Sequence, residues 1–454
     1  MIAALKAKIR SKITNDKHFA ELIKGSGVAF ILRIVGIAAG YLFTLLVTRN
    51  LGAKAWGIFS LSLVVLQIAS VIGRLGMDTA LLRFTAEYTA RGDVNTLKEI
   101  YKKALTLIVS FSVLIAILVY ILSPFLANKV FHKPYLTNYF RLVSFITVPF
   151  ILLLVHSEAI RGLKKIKEYM FLQQVGTFAI ALILLLGGLI FFKSNFLPLV
   201  SYGISIFFLS VISIYLWHKY FANFFVHSTL STIFKTSTTS YRFILSISIP
   251  MLFSSSLALI MGWTDTIMLG IFRNAQEVGV YNVVLRVSMI TSITLMAINI
   301  IAAPKFAEFW GKGDIEGLTK IAKQSTKLIF WTSLPMLLLF LLFPGFVLGM
   351  FGEEFNSGIL ALKILVFGQF LNAIFGSVGY ILMMTGHQRF HQNTILIGTF
   401  GNFVLNYVLV PKYGITGAAF ASAMSTIFWN ISFTLKVRSL LKEFIFYIPI
   451  IRRN

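Results

Sequence analysis

The sequence predicts an all-α fold: a polytopic membrane protein of about twelve transmembrane helices, arranged as two parallel-repeat lobes of six. Three observations predict it, namely the composition, a dozen apolar segments of spanning length, and the side on which the basic residues fall. Of 454 residues, 57% are hydrophobic and only 13% charged, and the mean hydropathy is +0.84, far outside soluble averages. A soluble domain has no interior large enough to hide that much apolar surface. A helix needs ~20 residues to cross a bilayer, so the length allows a dozen spans with modest loops.

The segments follow in order along the chain. The first six run from Val28 to Thr48, Trp56 to Met77, Ala104 to Leu122, Tyr139 to Ile160, Met170 to Phe192 and Phe196 to Trp217. Six more run from Phe243 to Gly270, Val280 to Ala302, Leu328 to Met350, Gly358 to Met384, Gln392 to Val410 and Ile415 to Val437. Their ends are read to ~2 to 4 residues.

A formal charge of +25 invites a nucleic-acid reading, but its placement points elsewhere. With the N-terminus inside, 29 Lys and Arg residues fall in inner segments and 7 in outer loops, taking Lys436 with the tail. That asymmetry follows the positive-inside rule and places both termini on the cytoplasmic side of the plasma membrane. The charge therefore encodes topology, and no nucleic-acid partner is expected.

In the first 25 residues Ile2, Leu5, Ile9 and Ile13 recur at helical spacing among basic residues, which predicts a surface-lying amphipathic helix. The short apolar core and cleavage site of a secretory leader are missing there. At the other end, residues 439–454 form a basic tail whose apolar run from Phe444 to Ile451 is too short to span. Cysteine is absent, which excludes a disulfide framework, thiolate metal sites and cysteine nucleophiles. No metal or other cofactor is expected.

The chain repeats itself. Ala86-Glu87 precedes Gly92-Asp93 as Ala307-Glu308 precedes Gly313-Asp314, at an offset of 221 (307 less 86) that Leu97 and Leu318 keep. Arg49-Asn50 ahead of Gly57 is echoed by Arg273-Asn274 ahead of Gly279, and Arg161-Gly162 by Thr385-Gly386. An even number of helices per repeat gives both the same orientation, so the repeats are parallel and a cleft between lobes is the expected path. The expected division is an N-lobe over 26–217, a Ser- and Thr-rich linker over 218–241 and a C-lobe over 242–438.

These residues resemble the multidrug/oligosaccharidyl-lipid/polysaccharide exporter superfamily, and within it the polysaccharide, O-antigen type, flippases. The resemblance covers nearly the whole chain and is carried by Arg49-Asn50-Leu51-Gly52 with Ala55-Trp56-Gly57-Ile58-Phe59, by Asp265-Thr266-Ile267-Met268-Leu269-Gly270, and by Glu277-Val278-Gly279-Val280-Tyr281. It implies a transporter that flips a lipid-linked oligosaccharide, a polyprenyl diphosphate sugar, from inner to outer leaflet by alternating access for cell-surface polysaccharide biosynthesis. The implied partners are that substrate, membrane lipid, and a polysaccharide polymerase or glycosyltransferase. The plain reading of Leu51-Gly52 and Val278-Gly279 is that they are turn and packing glycines at helix ends.

Polar residues inside the spans carry the functional argument, because a charge there is costly and faces a cavity, a partner or a substrate. Five cations qualify: Arg33, Arg74, Arg141, Arg286 and Lys363. Arg33 has no acid near it in sequence, whereas Arg74 has Asp78 one turn on, so an internal ion pair competes with a substrate role. Arg286 is expected roughly 9 Å below the outer end of its helix. Arg141 and Lys363 lie nearer the outer surface, where snorkelling explains them.

Neither Arg33 nor Arg286 has a basic counterpart at the repeat offset, where Ser254 and Val65 stand, so a shared architectural role is disfavoured. Guanidinium groups suit a diphosphate, since they stay protonated and offer a planar fork of donors. Arg33, Arg74 and Arg286 are therefore the expected substrate-binding cations, with Asp265, Asn299 and Gln369 as further polar contacts. His156 and Glu158 are the candidates for ion coupling. The dull readings stand beside these: Glu158 pairing with Arg161 or Lys165, Asp265 binding water or Arg273, and the amides bonding neighbouring helices.

Two other function classes remain in view. A multidrug or organic-cation antiporter of the same superfamily would favour acidic residues in its path, whereas the first span carries Arg33 and no acid. A membrane glycosyltransferase, polymerase or ligase would need catalytic groups outside the core, and the largest outer loop, 123–138, holds no acidic residue. The expectation is a transporter and not an enzyme.

Overall fold

In hydrocarbon every backbone N–H and C=O must find its partner within the protein, so a chain this apolar is driven into helices. The computed structural model describes residues 17–228 and 239–447, and among them every regular element is helical. Residues 1–16 of the expected amphipathic segment, 229–238 of the expected linker and 448–454 of the tail lie outside the described residues.

The helices are α1 (Lys17–Arg74), α2 (Met77–Arg91), α3 (Val94–Phe125), α4 (Leu136–Gly162), α5 (Ile166–Met170), α6 (Gly176–Phe191), α7 (Leu197–Ser228) and α8 (Tyr241–Phe272). They continue with α9 (Ala275–Met289), α10 (Ile293–Gly311), α11 (Ile315–Leu342), α12 (Pro344–Gly349), α13 (Ile359–Phe375), α14 (Val378–Met384) and α15 (Gln388–Leu441). Among the described residues nine helices are long and apolar enough to cross a membrane. Two of the nine hold two straight pieces each: α1 breaks at Gly52 (φ 83°) and α15 at Gly414 (φ 55°), where only glycine tolerates the backbone. The chain is an all-α, multi-pass membrane protein.

The packing falls into two compact units. One is Met1–Asn50 with Ser62–Ser256, and the other is Leu51–Leu61 with Leu257–Asn454. Relative to the expected lobes, the stretch Leu51–Leu61 of α1 joins the second unit, while the first half of α8 joins the first.

In the first unit α2, α3, α4, α7 and the start of α8 share a core that includes Phe84, Ile100, Ile160, Trp217 and Ile244. The start of α8 is pinned there: a Cβ on Gly76 would strike the Ser248 carbonyl, and Lys103 donates to the Thr239 carbonyl at 2.5 Å while pairing with Glu99 at 2.7 Å. A π-helical turn, Phe171–Val175, sits between α5 and α6, and Gly36 of α1 lies against the backbone of Gln174 within it.

In the second unit the restart of α1 and the start of α9 approach backbone to backbone. A Cβ on Gly57 would collide with the Ala275 carbonyl, and one on Gly279 with the Ala53 carbonyl. Ala53-x-x-x-Gly57 and Ala275-x-x-x-Gly279 are thus one small-residue seam built from the two repeats, the arrangement that lets membrane helices touch most closely. From the chain's far end, Ile445 is buried in the core formed by α10, α11, α14 and α15, and the Tyr447 ring packs on Phe330.

The repeat is visible in the corners as well. Gly92 (φ 72°) and Gly313 (φ 70°) end their helices in the left-handed conformation. Asp93 then caps α3 by accepting from the Thr96 N–H at 3.0 Å, and Asp314 caps α11 by accepting from the Gly317 N–H at 2.7 Å.

The seam leaves no room for a methyl group on either side. Gly57→Ala and Gly279→Ala are each expected to destabilise the protein by about 1–3 kcal/mol, read as a lowered thermal unfolding midpoint in detergent. Gly311→Ala, with open space around it, is expected to leave the midpoint unchanged.

Candidate functional site

A buried carboxylate needs its charge answered, and the answer found for Asp265 is made only of neutral groups. Tyr281 of α9 and Ser422 of α15 both donate to its Oδ2, and Asn406 and Asn402 of α15 donate to its Oδ1 at 2.8 and 3.4 Å. Asp265, Tyr281, Asn402 and Asn406 are buried. Among the described residues no lysine or arginine pairs with Asp265: Arg273, the expected structural partner, instead lies 3.7 Å from Glu277 and donates to the Val410 carbonyl at 3.1 Å. The site thus holds one carboxylate, two amide oxygens and two hydroxyls, an oxygen-rich set able to hold a proton or a small hard cation. No group of three or more His, Cys, Asp or Glu occurs among the described residues.

The geometry also explains how helices deliver these groups. Asn402 and Asn406 stand four apart and so share a face of α15. The break at Gly414 folds the second piece of α15 back, which brings Ser422 to the same carboxylate.

Arg286 belongs to the second unit too. It lies roughly 16 Å along α9 from the first residue, Ala275, farther from that helix end than the expected ~9 Å, because the helix begins five residues before the apolar segment. Its half-buried side chain sits over the Trp56 ring, with the guanidinium carbon 5.1 Å from the ring centroid. Helical side chains lean toward the N-terminus of their helix, which carries the guanidinium toward Trp56 near the restart of α1.

In the first unit, Arg33 is half-buried on α1 and, among the described residues, no acid pairs with it. Arg74 does have a partner: its Nη1 lies 3.3 Å from the Asp78 carboxylate. The pair is buried, and both Arg74 Nε and Asp78 Oδ1 are without a hydrogen-bond partner. Glu158 lies 3.2 Å from Arg161. His156 faces elsewhere: Nδ1 donates to the Leu152 carbonyl at 2.7 Å, and Nε2 lies 2.9 Å from the Tyr101 hydroxyl, so both ring nitrogens are engaged within the first unit. Of the remaining candidates, Asn299 is buried with its Oδ1 unanswered, and Gln369 is half-buried on α13.

Residues 22–310 match the family described as polysaccharide biosynthesis protein. The chain belongs to that family. Residues 250–408 also match the MatE family. A probable low-salt glycan biosynthesis flippase, Agl15 of Haloferax volcanii, is 26% identical over 164 residues, 36% of this chain and 35% of that protein, so the match spans about a third of that relative's length. Among solved structures, a multidrug resistance MATE family transporter in an inward-facing conformation superimposes with a TM-score of 0.68 at 14% identity, covering 91% of this chain and 98% of its own. The lipid II flippase MurJ in an inward closed conformation gives 0.68 at 13% identity, covering 92% and 87%. At these identities the two structures share the fold with this member of the polysaccharide biosynthesis family.

Sequence reasoning missed Tyr281, Ser422 and Trp56 as members of these sites. The i, i+4 pair of asparagines in an apolar helix was the one usable signal, since two amides on one buried face call for a polar partner. Ser422 was legible only as one of many small residues.

Replacing Asp265 separates charge from hydrogen bonding. Asp265→Leu leaves four donors facing no acceptor and is expected to cost more than about 2 kcal/mol of stability, read as a lowered unfolding midpoint. Asp265→Asn retains an acceptor oxygen and is expected to cost less than half of that in the same measurement.

Proposed function

We propose that this protein flips a lipid-linked oligosaccharide, carried on a polyprenyl diphosphate, from the inner to the outer leaflet of the plasma membrane by alternating access of its two six-helix halves. The observation that carries the reading is Arg33, a permanent cation half-buried in the first span with no acid paired to it among the described residues. A charge so placed costs free energy unless a substrate anion answers it. Family membership and the glycan flippase relative support the same substrate class.

In this mechanism Arg33, with the unanswered Nε of Arg74, meets the diphosphate on the cytoplasmic side, and Arg286 meets it on the outer side. The polyprenyl tail stays in lipid while the head group crosses with its counter-charges supplied by guanidinium groups. Asp265 acts as the coupling group rather than as a sugar contact, because its carboxylate is already answered by four donors. A proton or a monovalent cation taken up there from a gradient alters the charge at the point where α8, α9 and both pieces of α15 meet. Asn299 and Gln369 remain candidates for sugar hydroxyls. His156, fixed between Tyr101 and the Leu152 carbonyl, serves the core of the first unit, and Glu158 anchors Arg161.

The MatE match and the MATE structural neighbour favour a second reading, export of an organic cation. One assay separates the two. Purified protein in liposomes is given a fluorescent polyprenyl-diphosphate oligosaccharide, and its transbilayer movement is followed beside efflux of an organic cation. Wild type is expected to move the glycolipid, Arg33→Ala and Arg286→Ala to slow it by about tenfold or more, and the lysine variants to fall between, because charge survives while the bidentate fork is lost. Full glycolipid movement by both alanine variants would falsify the cationic path, and cation efflux without glycolipid movement would place the protein among drug exporters. An imposed pH or sodium gradient that drives wild type but not Asp265→Asn identifies the coupling group and its ion.

A further inference from the structure

The restart of α1 and the start of α9 are held in one register by the seam of Ala53, Gly57, Ala275 and Gly279. A second tie fixes the same register. Glu354, from the turn Glu353–Gly358 ahead of α13, accepts from the Ala53 N–H at 2.5 Å and from Gln276 Nε2 at 2.9 Å, so one carboxylate caps the restarted helix and grips the first turn of α9. Arg286 stands seven residues beyond Gly279, two turns on and on the same face, so it faces the seam. Trp56, beside Gly57, is 1% exposed and packs against Phe59 with ring centroids 5.2 Å apart, which leaves its indole little freedom to turn. The seam, the carboxylate cap and the aromatic pair together present a rigid ring face to the guanidinium of Arg286.

We propose that Trp56 is a positioning residue for Arg286, holding the guanidinium over its ring face so that the cation already stands where a diphosphate is to be met. The negative face of an indole attracts a cation above it, so a ring that cannot turn limits where the guanidinium can go. An arginine on a mobile stem must give up rotamer freedom on meeting its anion, and one held over a ring has given up part of it already. The proposal extends the flippase reading and rests on it. It also assigns the seam a role: the close approach of the two repeats carries an aromatic from one to a cation of the other.

The test measures KM and maximal rate of flipping in liposomes for a short-chain prenyl diphosphate disaccharide. Wild type, Trp56→Leu, Trp56→Met, Trp56→Phe, Arg286→Ala and the double variant Trp56→Leu with Arg286→Ala are compared at matched amounts of folded, inserted protein. Loss of the ring is expected to raise KM about tenfold with the maximal rate held within about twofold, and phenylalanine is expected to restore KM to within about threefold of wild type. The double variant is expected to match Arg286→Ala alone, since a ring that acts only through the guanidinium has nothing left to act on. Wild-type KM in both Trp56→Leu and Trp56→Met, beside an impaired Arg286→Ala, overturns the proposal and leaves the flippase reading intact. Effects of Trp56→Leu and Arg286→Ala that add in the double variant overturn it likewise, because they mark Trp56 as packing. Absence of flipping by wild type overturns the reading on which the proposal rests.

Discussion

Hydrocarbon offers a backbone no hydrogen bonds, and the structure depends on how that demand is met wherever a helix stops being regular. Three breaks in the second unit show the same solution, a group from elsewhere in the fold answering the freed backbone. At Gly52 the Ala53 N–H donates to Glu354. At Gly414 the side chain of Arg273 donates to the Val410 carbonyl. At Gly376, between α13 and α14, the Tyr447 N–H reaches the Ile374 carbonyl at 3.5 Å, and Thr326 of α11 packs against the glycine. Each break is therefore tied to a distant part of the chain, so these helices bend only as that partner allows.

Once breaks are secured, small residues decide how closely helices approach. The Ala-x-x-x-Gly stretches of the two repeats meet each other, and their contact sets the height of everything above and below it, including Trp56, Arg286 and Glu354. The repeat thus does more than duplicate a fold. Its corners stay alike, as Gly92-Asp93 and Gly313-Asp314 show, because a helix end imposes the same backbone geometry in both copies. Its polar interiors diverge: the first unit buries an Arg74–Asp78 pair and a Tyr101–His156 pair, and the second a lone carboxylate among neutral donors.

Asp78, Glu158 and Asp265 illustrate how hydrogen bonding sorts roles that charge alone leaves open. Asp78 and Glu158 each face a guanidinium that offsets their charge. Asp265 faces only hydroxyls and amides, which orient a carboxylate without cancelling its charge. That difference is why the proposed function gives the coupling role to Asp265 and not to the other acids named from the sequence.

The sequence by itself determined the class, because apolar runs of spanning length and a lopsided distribution of Lys and Arg are one-dimensional signals that lipid reads directly. It determined the repeat and its helix corners too, since a glycine followed by a capping aspartate is a local motif. It also placed Arg33 and Arg286 inside spans. Only the tertiary structure decided which polar residues meet: Asp265 with Ser422 and Tyr281, Arg286 with Trp56, Ala53 with Glu354 some 301 residues away. The physical reason is that the helical period assigns a residue to a face of its own helix, whereas the partner of that face is set by packing, and packing here turns on two glycines whose backbones touch.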